Sequence, residues 1–180
     1  MRRGALIRTV GHGTLPAEEF ATLLRDASVD LVVDVRRYPG SRRVPQFERD
    51  AMGTWLPEHD IEYRWLVALG GRRRPNKHSP NVGLRNEQFR AYADHMATRE
   101  FHDAVAELDA LAADTPTAIM CSESVWWRCH RRLIADHLVL VEGVAVEHLF
   151  HDGRVVPHPV TPGARAVEGV VRYDATSDTS

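Results

Sequence analysis

Residues 30–35, DLVVDV, run almost unbroken in apolar character, and a strand without polar alternation has to be covered on both faces. A parallel sheet packed between two layers of helices meets that requirement, because every parallel connection needs a crossover, usually helical. The rest of the chain supplies the alternation. ALIRTV at 5–10 reads as a first strand. The helix after it, from about Pro16 to Ala27, is marked by Thr14 as an N-cap, by Pro16 near the first helical position, and by Glu18 and Glu19 in the first turn, where the helix dipole favours acids. A short helix at 46–57, a strand at 61–66 (IEYRWL), helices at 86–97 and 99–113, a strand at 117–121 (TAIMC), a helix at 126–140 and a strand at 144–150 (VAVEHLF) continue the order. In the 99–113 helix, Phe101, Val105, Leu108 and Leu111 recur at helical spacing and belong to a core. The expected fold is α/β, a three-layer sandwich with a mostly parallel, doubly wound sheet.

A chain of 180 residues fills one such domain. We assign it to residues 1–152, with residues 153–180 as a C-terminal extension that is partly ordered: three prolines stand in its first half and its end is polar. No apolar run approaches the roughly 20 residues that span a bilayer, and the first residues lack a secretory pattern, so a cytoplasmic protein with no membrane partner is expected. The two cysteines stand eight positions apart, where a structural disulfide would close only a small loop, which favours reduced thiols.

In open parallel sheets, reactive groups gather beyond the carboxyl ends of the strands. His12 follows the first strand, Asp34, Arg36 and Arg37 end or follow the second, the arginines of 72–77 follow the third, and Cys121 and Glu123 follow the fourth. The formal net charge of −2 conceals this arrangement. Segments 36–43 (RRYPGSRR), 72–77 (RRRPNK) and 128–132 (RCHRR) together carry eleven basic residues and no acid. Lys77 is the sole lysine, and arginine usage by itself reflects base composition; it is the clustering that points to an anionic partner.

Residues 117–132, TAIMCSESVWWRCHRR, concentrate the chemistry. Cys121 closes an apolar strand, where a cysteine is as often packing as function, and Cys129 falls where a helix start favours thiolate. Strand, cysteine, loop and arginine-bearing helix also describe cysteine phosphatases and rhodaneses, but Cys121 and Arg128 stand one residue further apart than the phosphatase pattern allows. The loop also lacks glycine, and Glu123 would repel a phosphate dianion. Cys121, Cys129 and His130 fit no familiar zinc spacing, and neighbours on a helix point about 100° apart. Glu123 and Asp34, at the mouths of neighbouring strands, are candidates for acid, base or nucleophile, or else for ion pairs that hold loops. Trp126 and Trp127 either stack on a base or pack the core. His59, His78, His95, His102, His137, His151 and His158 share no pattern and read as surface or loop residues.

The motifs TVGHGT (9–14), DLVVDVRRYPGSRRVPQF (30–47), IEYRWLVALGG (61–71), FRAYADHM (89–96) and CSESVWWRCHRRLIADHL (121–138) resemble the family catalogued as domain of unknown function 488. The resemblance implies marked positions at Gly11 and His12, at Asp34, Val35, Arg36, Pro39 and Ser41, and at Cys121, Glu123, Cys129, His130 and Arg131. It supports a site and a fold class and names no reaction. Ser124-Val125-Trp126-Trp127 stands where relatives have a shorter charged or proline-containing link.

From these observations the candidate catalytic residues are Asp34, Cys121, Glu123, Cys129 and His130. The candidate anion or substrate ligands are His12, Arg36, Arg37, Ser41, Arg42 and Arg131, and no metal ligand set is assigned. The expected partner is an anionic ligand, a nucleotide or nucleic acid, on which the site performs glycosidic-bond or base chemistry. A non-catalytic nucleic-acid-binding module and a thiol- or zinc-dependent enzyme of small molecules are the alternatives. No particular cofactor or oligomeric state follows from the sequence.

Overall fold

The computed structural model describes residues 5–174. The parallel strands are β1 (Leu6–Gly11), β2 (Leu31–Asp34), β3 (Glu62–Trp65), β4 (Thr117–Cys121) and β5 (Ala145–Leu149), and β6 (Val155–Pro157) pairs antiparallel with β5. Their order across the sheet is β3-β2-β4-β1-β5-β6. Every residue of β2 and β4 is buried, which accounts for the unbroken apolar run of DLVVDV and of TAIMC. The edge strand β3 alternates exposed and half-buried positions.

Helices α1 (Ala17–Asp26) and α2 (Arg49–Glu58) cover one face, where Phe20, Leu24, Met52 and Leu56 pack on Val10, Val32, Ala118 and Met120. Helices α3 (Glu87–His95), α4 (Arg99–Ala112) and α5 (Arg131–Leu140) cover the other, where Tyr92, Phe101, Leu108, Leu133 and Ile134 meet Ile7, Val33 and Ile119. Successive residues of each inner strand therefore feed opposite cores, as the two-residue period of a strand requires. The result is a three-layer α/β sandwich. None of its helices among the described residues is long and apolar enough to cross a membrane.

Asn86 caps α3 by accepting from the backbone of Gln88 and Phe89, and Thr98 caps α4 by accepting from Phe101. Thr14 does not cap α1, in contrast to the sequence expectation: the cap position is Pro16, and no side chain bonds there. Leu15 explains the shift, because a residue before proline is pushed out of the helical region and cannot open a helix.

Strand β4 lies between β1 and β2. The chain leaves β1 towards β2 by α1 on one face and leaves β4 towards β5 by α5 on the other. These departures diverge and open a crevice at the carboxyl ends of β1 and β4.

The described part of the C-terminal extension is built into the body. Its hairpin β7 (Arg165–Val167) and β8 (Val170–Arg172) packs on α5, and Val171 and Tyr173 are buried. Residues 175–180, the polar end of that extension, lie outside the described residues.

Candidate functional site

The crevice begins at a close approach of two backbones. Gly11 pairs with Cys121 across β1 and β4, and His12 and Gly13 continue the ladder by donating to the carbonyls of Cys121 and Ser122, each at 3.0 Å. A Cβ on Gly11 would sit 1.8 Å from the Glu123 carbonyl oxygen, so the loop after β4 can fold over β1 only because this position has no side chain. Gly70 and Gly71 do the same after β3. A Cβ on Gly70 would meet the backbone of Arg37 at 2.7 Å, and one on Gly71 would meet His130 Nδ1 at 3.0 Å.

These loops enclose a cavity of about 490 Å³. His12, Gly13 and Thr14 line it from β1, Arg36, Arg37, Tyr38, Ser41 and Arg43 from β2, Gly71 and Arg72 from β3, Cys121 and Ser122 from β4, and Cys129 and His130 from the approach to α5. Among the described residues, four arginines, two histidines and two cysteines line it, and no aspartate or glutamate does.

Below the cavity, Arg36 is locked in place. Its Nε donates to Asp34 Oδ1 at 2.8 Å and its Nη2 to Asp34 Oδ2 at 2.7 Å, a bidentate pair, and Nη2 also donates to the Phe47 carbonyl at 2.7 Å. Asp34 is wholly buried and accepts further bonds from the Arg36 backbone N–H and from the Tyr63 hydroxyl. Burial opposes charge on Arg36, but the Asp34 carboxylate outweighs it and holds the guanidinium protonated. Burial, followed by the Asp34 charge, drives the Tyr63 phenol far above its ordinary range. Arg36 Nη1 donates to His12 Nε2 at 3.2 Å, while His12 Nδ1 faces the Gly13 carbonyl at 2.7 Å, and the ring stacks on Phe47. With both nitrogens engaged and burial disfavouring its charge, His12 is held neutral, its pKa lowered to about 4.

The thiols come together through a break in the helix expected over 126–140. Residues Trp126–Arg128 form a single 3₁₀ turn, Cys129 is extended (φ −125°, ψ 153°), and α5 begins only at Arg131. Cys129 and His130 are therefore not successive helical residues, and the 100° divergence expected of them does not apply. Cys129 Sγ lies 3.5 Å from His130 Nδ1, whose Nε2 donates to the Val35 carbonyl at 2.7 Å. That outer bond fixes the tautomer and leaves the Nδ1 lone pair facing the thiol. Burial lowers the His130 pKa, so the ring is neutral.

Cys121 Sγ and Cys129 Sγ stand 2.7 Å apart, inside ordinary non-bonded sulfur contact, and both cysteines are free. Arg131, 1% exposed, donates from Nε to Cys121 Sγ at 2.9 Å, from Nη1 to Thr9 Oγ1 at 2.9 Å and from Nη2 to the Glu123 carbonyl at 2.6 Å. None of these partners is a carboxylate. A guanidinium stays charged at any physiological pH, and a buried charge left uncompensated costs several kcal/mol, so one negative charge shared by the sulfurs is its natural counterion. Burial resists ionisation of Cys129, yet the hydrogen bond from Cys121 and the charge of Arg131 prevail and bring its pKa to about 7. Burial and the Cys129 neighbour push the Cys121 thiol up. Thus one proton leaves near neutrality and the other stays.

Of the sequence candidates, the structure brings His12, Arg36, Arg37, Ser41, Cys121, Cys129 and His130 to the cavity wall. Asp34 and Arg131 are buried supports beneath it. Glu123 and Arg42 are exposed and stand outside the lining, with the Glu123 carboxylate accepting from the Val125 backbone at 3.3 Å. Sequence reasoning missed Arg43, Tyr38 and Thr14 as lining residues and Tyr63 as the partner of Asp34. Arg43 and Arg72 belong to basic clusters already recognised, whereas nothing local marks Tyr63.

A second polar region lies behind α5. His148 Nδ1 meets Thr9 Oγ1 at 2.6 Å, its Nε2 meets His158 Nδ1 at 2.8 Å, and His158 Nε2 meets Asp136 Oδ1 at 2.7 Å. Tyr173 donates its hydroxyl to Asp136 Oδ2 at 2.8 Å, and Trp126 stacks flat on His148 at 4.2 Å. Burial, then His158 and Arg131, lower the His148 pKa to about 3. The surface placement expected for His95, His137 and His158 is corrected: their side chains are buried, because each finds a partner far away or packs on a distant ring.

Among the described residues no three His, Cys, Asp or Glu side chains gather so as to hold a metal ion. No curated protein and no solved structure matches the chain. A family model described as domain of unknown function DUF488 matches residues 16–138, more than half the chain, and spans β2, β4, the cysteine pair and Arg131. The chain belongs to the DUF488 family.

Proposed function

We propose that the cavity is the active site of a thiol-dependent enzyme acting on an anionic, nucleotide-sized ligand, with Cys129 as nucleophile and His130 as its proton acceptor. The observation that carries this reading is the cavity lining: among the described residues, four arginines and no carboxylate around a cysteine–imidazole pair. Its volume of about 490 Å³ lies within the usual range for small-molecule sites. Arg37, Arg43 and Arg72 supply forked donors suited to phosphate oxygens. Tyr38, 64% exposed at the rim beside the Arg37 guanidinium, offers a face on which a base can stack. In the chemical step, His130 Nδ1 takes the Cys129 proton and the thiolate attacks an electrophilic centre of the ligand, forming a bond to sulfur as the bond to the leaving group breaks. The leaving group takes the proton from His130, and water later releases the group held on sulfur. The Arg131 backbone N–H, 3.5 Å from Cys129 Sγ, and the charge of its guanidinium stabilise the anionic sulfur.

Asp34 then serves as a positioning residue, because its oxygens are occupied by Arg36 and Tyr63. A carboxylate mechanism on Glu123 would need that side chain to enter a cavity it does not line. A second reading, a surface that grips a nucleic-acid strand, draws on a shallower cavity adjoining at Tyr38 and Gly40, where Arg49 lies over the Trp65 ring at 4.7 Å, but Glu48 and Asp50 line that cavity too and oppose a polyanion there.

The test is equilibrium binding of adenosine monophosphate, adenosine diphosphate and a single-stranded oligonucleotide across a salt series, followed by chromatographic detection of turnover. Arg72→Ala is expected to weaken mononucleotide binding about tenfold and to flatten its salt dependence. Cys129→Ser is expected to bind normally and turn nothing over. No binding of any of the three at low salt would reject the nucleotide reading. Turnover that survives Cys129→Ser but is lost in Glu123→Gln would reject the thiol mechanism.

A further inference from the structure

The geometry points to a second chemistry at the same cavity: Cys121 and Cys129 form a redox-active dithiol that exchanges with anionic, low-molecular-weight disulfides. This inference shares the cavity with the reading above and does not require its substrate.

Three observations carry it. The sulfurs are already 2.7 Å apart, so a bond of roughly 2.05 Å needs less than an ångström of approach. Both cysteines line the open cavity although their residues are otherwise buried, so a disulfide reaches them through that cavity. Arg131 holds Cys121 at 2.9 Å, and among the described residues its guanidinium has no carboxylate partner, which keeps the pair poised with one sulfur anionic. The cationic wall then selects the charge of the disulfide.

The exchange proceeds in two displacements. The Cys129 thiolate attacks one sulfur of the small disulfide RSSR, forming a Cys129–S–SR bond and breaking the RS–SR bond. The first RS⁻ leaves and takes up the proton that Cys129 released. Cys121 next gives up its proton and attacks Cys129 Sγ, forming the Cys121–Cys129 bond and expelling the second RS⁻, which takes that proton. The protein dithiol is oxidised by two electrons and RSSR is reduced to two RSH. A disulfide closing so short a loop stabilises a fold less than one closing a long loop, so this bond suits exchange better than structural support.

The experiment exposes the full chain to glutathione disulfide, which carries carboxylates, and to cystamine, which carries only amines, then alkylates and measures the intact mass. With glutathione disulfide the wild type is expected to lose both alkylatable thiols and two hydrogens of mass, and to recover them in dithiothreitol. Cys121→Ser is expected to stop at a glutathione adduct on Cys129. Glutathione disulfide should react about tenfold faster than cystamine at low salt, and added salt should shrink the difference. Retention of both thiols in the wild type, or a stable glutathione adduct without an internal bond, would overturn the dithiol. Equal rates, or a faster cystamine reaction, would overturn the assigned ligand class. Nucleotide binding measured on the same reduced protein reports separately on the reading proposed above.

Discussion

Two polar regions lie on opposite sides of Arg131, and they are built on different principles. Behind α5, Thr9, His148, His158, Asp136 and Tyr173 form a closed chain in which each group bonds the next, sealed by the Trp126 ring. At the carboxyl edge, Cys129, with His130 Nδ1 turned towards its thiol, and Arg43 line an open cavity. Saturated polar groups specify a structure, whereas polar groups with spare valence towards a cavity are available to a ligand. Histidine content does not separate the regions, since both are histidine-rich.

The largest effect that sharpens this contrast is expected in the closed region. Asp136→Ala should cost about 3–5 kcal/mol in chemical denaturation, since it strands His158, Tyr173 and the Thr161 N–H. The iodoacetamide reactivity of Cys129 at neutral pH should change little in the folded variant. A loss below 1 kcal/mol would show that the chain is not the closed network described.

Acid comes next. His12 and His148 are held neutral, with pKa values lowered to about 4 and about 3 against an unfolded value of 6.5. Below 6.5 the unfolded chain binds more protons than the folded one, so the stability that these rings contribute is complete above that pH. It declines as pH falls through the window down to the folded values. At pH 5 the loss should approach about 2 kcal/mol per ring, from 1.36 kcal/mol per unit. Melting temperature followed from pH 7.5 to 5 checks this, and His148→Gln should blunt the slope. A flat profile would contradict the burial of both rings.

The smallest effect is expected at Glu123. Glu123→Gln should leave the Cys129 alkylation rate within about twofold across pH 6–9, because its carboxylate stands outside the lining and only its backbone carbonyl touches Arg131. A shift of the alkylation midpoint by a full pH unit would bring the carboxylate into the site.

Much of this architecture was legible because it depends on period and position. Strands buried on both faces have to be apolar throughout, and the carboxyl ends of parallel strands collect the reactive groups, so His12, Arg36 and Cys121 could be placed from the order of elements alone. The Cys129–His130 contact was not legible, since it depends on a 3₁₀ turn and one extended residue interrupting a segment of helical appearance. Arg43 rather than Arg42 reaches the cavity for the same kind of reason: one position in an irregular loop decides which way a side chain leaves. The closed histidine chain joins residues from Thr9 to Tyr173, and separations of that length leave no mark on local pattern.

The position of β4 also bears on how the molecule is made. Strands β1 and β2 never pair with each other; each waits for β4, which arrives last of the three and slides between them. A chain emerging from the ribosome therefore carries two bare strand edges until residue 121 is available, and long-range pairing of this kind is slow. The strand that fills this central gap is the one that delivers Cys121 to Arg131 and Cys129. Closure of the central gap and delivery of Cys121 to its partners are therefore a single event, and a nascent chain cannot bring the two cysteines together in this arrangement until that gap is filled.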